Sequence, residues 1–248
     1  MYQGLRIGAV IPARDEEAAI AEVVLTLRAL RDAGKTALID EVVVADNGSK
    51  DATAARARAG GARVVQEPSR GYGRACQAAL PALNHPDIIL FVDGDRSVIA
   101  AEATRLLHAL ANGADLAVGS RTLGRAERGA LTRPQRCGNG LAAFLIRRLW
   151  RHPCTDLGPF RAIRREALEA LAMADPTFGW TVEMQVKAIQ RGYEVVEVPV
   201  TTRVRVGRSK VSGTLSGVVG AGIGILSMIA RLWWQERSPA IARAVRRA

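Results

Sequence analysis

Aromatic side chains make up only 4% of the 248 residues. Proteins that grip single-stranded nucleic acid stack bases on aromatic platforms, and those that read duplexes carry a recognition-helix signature. Neither feature is present, so no nucleic-acid partner is expected despite a formal charge of +11. Cysteine is scarce and odd in number. Cys76, Cys137 and Cys154 have no paired spacing, which argues against a disulfide framework and suits a reducing cytoplasm. The histidines His85, His108 and His152 stand in no catalytic or metal-ligand motif, and His85 and His152 precede prolines, as loop residues do. The N-terminal segment lacks the basic start, apolar middle and small-residue cleavage site of a signal peptide. A cytoplasmic location is expected, with peripheral contact at the inner face of a membrane.

What is present is ordinary in amount and uneven in placement. A hydrophobic fraction of 48% and a charged fraction of 24% describe a folded chain, long enough for one α/β domain with a full core. Residues 1–120 carry a net charge of −2, 121–151 carry +7, 152–200 carry −2 and 201–248 carry +8. Two cationic blocks in the second half suit a phosphate-bearing partner or an anionic membrane surface.

In the first half, apolar runs at 7–11, 41–45, 62–66, 88–92 and 116–118 predict strands. Segments 16–32, 50–59, 73–83 and 100–112 between them predict helices, with apolar residues at helical spacing such as Ile20, Val23, Val24, Leu27 and Leu30. Such alternation builds a mainly parallel sheet covered on both faces, and ligands bind outside the carboxyl ends of its strands. The polar clusters lie at those ends: Pro12-Ala13-Arg14-Asp15-Glu16-Glu17, Asp46-Asn47-Gly48-Ser49, Asp93-Gly94-Asp95 and Gly119-Ser120-Arg121. After Arg121 the pattern loosens into predicted helices at 138–150, 164–173 and 181–191 and short strands at 194–198 and 200–206.

Asp93-Gly94-Asp95 is the most informative cluster. One strand delivers two carboxylates to the sheet edge, and the intervening Gly94 leaves room for phosphates and ribose to approach. Mg²⁺ or Mn²⁺ binds one or two carboxylates together with substrate phosphates, although two solvated turn aspartates would read the same way in isolation. Arg70-Gly71-Tyr72-Gly73-Arg74 reads either as a loop near a nucleotide or as a glycine-rich strand-to-helix turn. It is no dinucleotide fingerprint, because it does not follow the first strand.

The ordered set of motifs, with the later 205–210 segment, resembles the family-2 glycosyltransferases of GT-A fold, and within them the dolichyl- or polyprenyl-phosphate sugar synthase branch. The resemblance covers about residues 5–210. It implies a single Rossmann-like GT-A domain over 1–210, with a nucleotide-sugar half (1–120), an acceptor half (121–210), and a C-terminal helix and Arg-rich tail over 211–248. Pro12, Ala13, Glu16, Asp46, Gly73, Asp93 and Gly94 are implied at the nucleotide, and Asp93 and Asp95 at a Mg²⁺ or Mn²⁺ ion. Arg121 is implied near the donor phosphates and the acceptor, and Arg205, Ser209 and Lys210 at phosphate groups. The chain departs from the family pattern at Arg14 and Asp15, where an aromatic residue and Asn are common. It departs again at Asn47, in place of a second carboxylate, and at Ser97, where some relatives have a glutamine ligand.

The expected reaction is an inverting transfer from a nucleotide diphosphate-sugar to a polyprenyl phosphate. A phosphate oxygen is already anionic and needs no strong base, so cations around both substrates matter most. A soluble hydroxyl acceptor is the alternative and would need a general base. Asp156, with Glu183 behind it, is the candidate, although a turn residue satisfying backbone N–H groups is the simpler reading of Asp156. An inactive membrane-associated nucleotide-binding scaffold is a third reading, opposed by the complete motifs. Residues 211–230 carry no charge but include five glycines and four Ser/Thr, which favours a packed or interfacial helix over a membrane span. Trp233, Trp234 and the arginines 231, 237, 243, 246 and 247 would then face lipid, as would Leu141, Phe144 and Leu149 beside Arg147, Arg148 and Arg151. A core or homo-oligomer contact through the same faces is the equal alternative.

Overall fold

The computed structural model describes residues 2–32, 34–207 and 215–237, with the side chains of 215–219 excepted. Ser209, Lys210, the expected boundary at 210/211 and the arginines 243, 246 and 247 lie outside the described residues.

The first strands are apolar along their whole length because both of their faces are covered. β1 (Ile7–Ala13), β2 (Glu41–Asp46) and β4 (Ile88–Phe91) are buried almost throughout, whereas β3 (Arg63–Gln66) is an edge strand exposed at both ends. With β5 (Leu116–Ala126), β6 (Arg161–Arg164) and β7 (Val195–Thr202) they form a seven-stranded sheet in the order β3-β2-β1-β4-β6-β5-β7. β1 pairs in parallel with β2 and β4, from Gly8↔Glu41 to Ala13↔Asp46 and from Ile7↔Ile88 to Val10↔Phe91. That register brings Ala13, Asp46 and the residues after Phe91 out on one edge. Pro12 lies past the end of the β4 ladder, so its missing N–H breaks no bond there.

Helices cover both faces. α1 (Ile20–Ala29), α2 (Thr53–Ala59) and α4 (Ala103–Ala111) pack on one face through Val23, Val24, Leu27, Leu106 and Leu110. α3 (Tyr72–Ala79), α6 (Arg165–Leu171) and α7 (Trp180–Gln190) cover the other through Cys76, Leu168, Trp180 and Met184. A third cluster joins α5 (Arg133–Trp150) and α8 (Leu215–Arg237) to α7, with Ile146, Val182, Met228, Ile229 and Leu232 at its centre. Each such buried aliphatic side chain contributes about 1.5–3 kcal/mol, enough to hold α8 on the domain in spite of its glycines. Among the described residues no helix is long and apolar enough to cross a membrane.

Five elements differ most from the sequence expectation. β5 does not stop at 118 but runs on to Ala126, its pairing with β7 resuming at Arg125 after a register shift. α1 starts at Ile20 rather than 16, because the backbone of Glu16 turns to receive bonds from Ala19 and Ile20 while its N–H donates to Thr53 Oγ1. α5 starts five residues before 138, where Thr132 and Gln135 form a capping box around Pro134. β6 was not expected as a strand. Its first residue, Arg161, is only 1% exposed and donates to the carbonyls of Gly158 and Thr181, so an arginine occupies a core position. β6 runs antiparallel between β4 and β5, which makes the sheet mixed. The two short strands expected at 194–206 are one strand, β7, parallel to β5.

Candidate functional site

At the edge reached by β4, Val92 N makes the last bond to Val10 O, and the chain then turns through Asp93-Gly94-Asp95. Asp95 Oδ1 accepts from Ser97 N at 2.9 Å, closing the turn. The residues after β7 close over it, Arg203 N donating to Ser97 O and Val206 N to Asp95 O. Between those two bonds Arg205 sets its guanidinium against two acids, 2.6 Å from Glu16 Oε1 and 3.4 Å from Asp95 Oδ2. Glu16, Asp95 and Arg205 therefore meet at one point, although they come from three distant segments.

Burial and the neighbouring Asp95 push the Asp93 carboxyl up to about 7, against the pull of Arg205 and Arg121. Two carboxylates confined this closely call for a cation, and Arg205 stands beside them as one. No cluster of three or more metal-ligating side chains exists among the described residues. The pair suits a hard divalent ion that completes its shell with substrate oxygens. At Gly94 a Cβ would lie 3.1 Å from Ile20 Cδ1, so core packing also presses on this position.

The carboxyl end of β2 organises the neighbouring pocket. Asp46 is buried and accepts from Ser49 N at 3.1 Å. Asn47 donates to Glu67 O and Ser69 O and accepts from Gly71 N at 2.8 Å, pinning the 67–71 loop. A carboxylate at 47 could not donate to those carbonyls, which gives the departure a structural reason. Gly71 (φ 152°) and Gly73 pack on the loop after α6, where added Cβ atoms would fall 2.1 Å from Pro176 O and 2.0 Å from Asp175 O. Gly73 thus serves close backbone packing. The result is a cavity of about 270 Å³ bounded by Pro12, Ala13, Arg14, Asn47, Tyr72 and Phe178.

Arg121, at the bend of β5, is held by Asp156. One carboxylate oxygen accepts from Arg121 N at 2.6 Å and from Nε at 2.8 Å, and the other accepts from Nη2 at 2.6 Å. Asp156 has no exposed surface, and Glu197 of β7 holds its loop by accepting from Asp156 N and Thr155 N. Glu183 accepts from Ala174 N and Asp175 N and pairs with Lys187, so it organises the loop after α6. Glu197 escaped sequence reading because a lone acid in a strand carries no motif.

Two further cavities meet at Arg121. One, of about 420 Å³, runs from Tyr72, Asp93 and Arg121 past Leu157 and Phe178 to Gly222 and Ile225 of α8. The other, of about 600 Å³, lies between the bend of β5 and α5 and bears Arg121, Arg136 and Arg147. Outside the α8 end of the first, Ile223, Leu226 and Trp234 form an exposed stripe at helical spacing, with Leu141 and Phe144 exposed on α5. Ile223 is 63% and Trp234 72% exposed, which marks the stripe as unpartnered surface.

A family-wide sequence profile described as Glycosyl transferase family 2 matches residues 9–172. An uncharacterized glycosyltransferase of Mycobacterium tuberculosis is 37% identical over 219 residues, 87% of this chain and 94% of the relative. A dolichyl-phosphate hexose transferase of Haloferax volcanii is 32% identical over 207 residues, 82% of this chain and 85% of the relative. Among solved structures, glucosyl-3-phosphoglycerate synthase from M. tuberculosis, in complex with Mn²⁺, uridine-diphosphate-glucose and phosphoglyceric acid, superposes with a TM-score of 0.75. It is 26% identical, and the match covers 94% of this chain and 81% of that one.

Proposed function

The chain belongs to glycosyl transferase family 2, and on that premise we propose that it moves a sugar from a nucleotide diphosphate-sugar to a polyprenyl phosphate, with inversion at the anomeric carbon. The observation that carries the acceptor is the 420 Å³ cavity. Its inner end is charged, at Asp93 and Arg121, and toward α8 it is mainly apolar, at Leu157, Phe178, Ala221 and Ile225, with the amides of Gln135 and Asn139 on the α5 side. A phosphate with a long hydrocarbon tail needs that gradient. The apolar stripes beside its mouth, with Arg148 and Arg231 exposed near them, suit peripheral seating on an anionic membrane.

Pro12, Ala13, Glu16 and Asp46 border the nucleoside end of the donor. Asp93 and Asp95 would hold Mg²⁺ or Mn²⁺ at the diphosphate, as the complexes of the mycobacterial synthase make chemically reasonable. A divalent ion there offsets the charge that grows on the departing diphosphate. Arg205, held against Glu16 and Asp95, meets the same phosphates. Arg121 draws the acceptor phosphate toward the anomeric carbon, and Asp156 keeps its guanidinium in one orientation. No base is needed, because the acceptor oxygen arrives anionic; Asp156 is a positioning residue in this scheme.

A soluble phosphorylated acceptor is the second reading, favoured by the 600 Å³ cavity with its three arginines. Labelled nucleotide diphosphate-hexoses with Mn²⁺, offered a polyprenyl phosphate or 3-phosphoglycerate, separate the two. Label extracted into organic solvent is the expected result. Label found only in the aqueous phosphoglycerate product would replace the lipid reading with the soluble one.

A further inference from the structure

Ladder pairing between β5 and β7 stops at Ser120↔Pro199 and resumes at Arg125↔Thr201, so residues 121–124 have no partner in register on β7. A strand released from its ladder needs other bonds to fix its course. The loop at 155–156 supplies them. Ser120 Oγ lies 2.7 Å from Thr155 Oγ1, Arg121 donates to Asp156 from its backbone and its guanidinium, and Thr122 Oγ1 donates to Thr155 O at 3.1 Å. Three consecutive residues of β5 thus take their places from two residues of one loop.

Glu197 stands behind that loop. Its Oε1 accepts from Thr155 N at 2.8 Å and from Asp156 N at 3.2 Å, and its Oε2 accepts from the Thr155 hydroxyl. The two ends of the hydroxyl chain set its direction. A carboxylate only accepts, so Thr155 donates to Glu197 and has to accept from Ser120. Ser120 Oγ in turn accepts from Leu123 N at 3.1 Å. One acid therefore reaches Arg121 by two routes, through the bend at 120–123 and through Asp156, whose two oxygens grip the guanidinium. We propose that Glu197 is the positioning residue of the acceptor end: it sets the loop that aims Arg121, and without it the guanidinium takes several directions. The link to transfer rests on the acceptor reading given above; the hold on Arg121 does not.

The Arg121 Nε–H resonance of the full chain, assigned by its loss in Arg121→Lys, reports the hold through its exchange with water. Arg164 Nε–H, which donates to Ala114 O at 3.1 Å away from this loop, is the control. In Glu197→Ala the Arg121 proton should exchange roughly tenfold faster or more, because the loop loses its bonds to a charged acceptor. The Arg164 proton should keep its wild-type rate. Glu197→Gln, which retains one oxygen for the two N–H groups, should lie between. Thr155→Val removes only the hydroxyl route and should give about a threefold rise. It carries the test if circular dichroism shows Glu197→Ala unfolded. With saturating donor, kcat/KM for a short prenyl phosphate should fall roughly tenfold in Glu197→Ala, while calorimetry of a nucleoside diphosphate with Mn²⁺ stays at the wild-type affinity. Unchanged exchange at Arg121, equal acceleration at Arg164, or a matching loss of nucleotide affinity overturns the positioning role. Faster exchange with unchanged kcat/KM overturns its bearing on transfer. If wild type transfers sugar to neither a prenyl phosphate nor 3-phosphoglycerate, the acceptor reading fails, while the exchange rates still decide what Glu197 holds.

Discussion

In residues 1–120 the site is made by the sheet, and beyond Arg121 it is made by side chains that reach across the chain. β1, β2 and β4 run in parallel and in register, so Ala13, Asp46 and Asp93 arrive at one edge because the strands end there. The second half has no such device. Arg121 is set by Asp156, 35 residues away, and Arg205 by Glu16, 189 residues away. The halves also differ in charge, −2 against an arginine-rich remainder. On the proposed reading, a donor pocket made of backbone and loop carbonyls tolerates little variation, whereas an acceptor region built from ion pairs and a cleft can be retuned one side chain at a time. The contrast predicts that changes at the first edge remove chemistry and leave the fold intact, while changes in the second half disturb both.

The sharpest test on the donor side is Asp95→Ala. The carboxylate closes its own turn and faces Arg205 at 3.4 Å. Arg205 keeps Glu16 as its nearer partner at 2.6 Å, so the thermal midpoint should fall only slightly. Transfer should fall roughly 10³-fold or more, since the variant loses half of the pair that would hold the ion at the diphosphate. Chelation by excess EDTA should do the same to wild type. Retention of full activity in either experiment would remove the metal from the scheme.

Asp156 tests the other half. Asp156→Ala leaves Arg121 without its buried partner, and breaking such a pair costs about 3–5 kcal/mol, or roughly 10 °C in the midpoint of a chain this size. Asp156→Asn keeps an acceptor for Arg121 N–H and should lose less stability and retain most transfer to a phosphate. A stable but inactive Asp156→Asn would instead mark this carboxylate as a general base, and the acceptor as a hydroxyl.

The Asp93 carboxyl, pushed up to about 7, makes a prediction about pH. An acid whose pKa is raised on folding binds more protons folded than unfolded, so the ion-free protein loses stability as pH rises from about 4 to about 7. The loss amounts to a few kcal/mol. Asp93→Asn removes the ionisation. Its midpoint in chelator should exceed that of wild type increasingly from pH 5 to pH 8, although the variant cannot transfer sugar. Parallel midpoints over that range would mean that Asp93 is not held near neutrality.

Legibility in the sequence follows the same division. Strands buried on both faces announce themselves as apolar runs, and their ends locate Pro12, Asp46 and Asp93 without any knowledge of pairing, whereas Arg121 falls inside β5, at the register shift after Ser120. β6 was hidden because Arg161, an arginine, sits in the core with its guanidinium satisfied by carbonyls. Glu197 and the Asp156–Arg121 pair were hidden because tertiary contacts, and no local spacing, create them. The start of α5 was readable in principle: Thr132 and Gln135 around Pro134 form a helix-start signature that the run of polar residues up to 138 obscured. Asn47 was visible as a departure, yet its reason, two carbonyls of the 67–69 segment, exists only in the folded chain.

The smallest expected effect concerns the surface beside the apolar cavity. Ile223, Leu226 and Trp234 on α8 and Leu141 and Phe144 on α5 are exposed, and Arg148 and Arg231 are exposed on the same two helices. Inserted apolar side chains and cations near anionic headgroups act together in peripheral binding. Each Arg contributes about 1 kcal/mol and acts within a Debye length, so Arg148→Gln and Arg231→Gln should each weaken binding to phosphatidylserine vesicles about fivefold at low salt. Trp234→Ala should weaken it at any salt, because its share is burial and not charge. Transfer to a short, water-soluble prenyl phosphate should be unaffected by all three, since none of them lines the cavity. Vesicle binding that is absent at low salt, or indifferent to all three substitutions, would leave the stripes as a contact between protein surfaces. The acceptor would then have to reach Arg121 from solution, through the arginine-lined cavity.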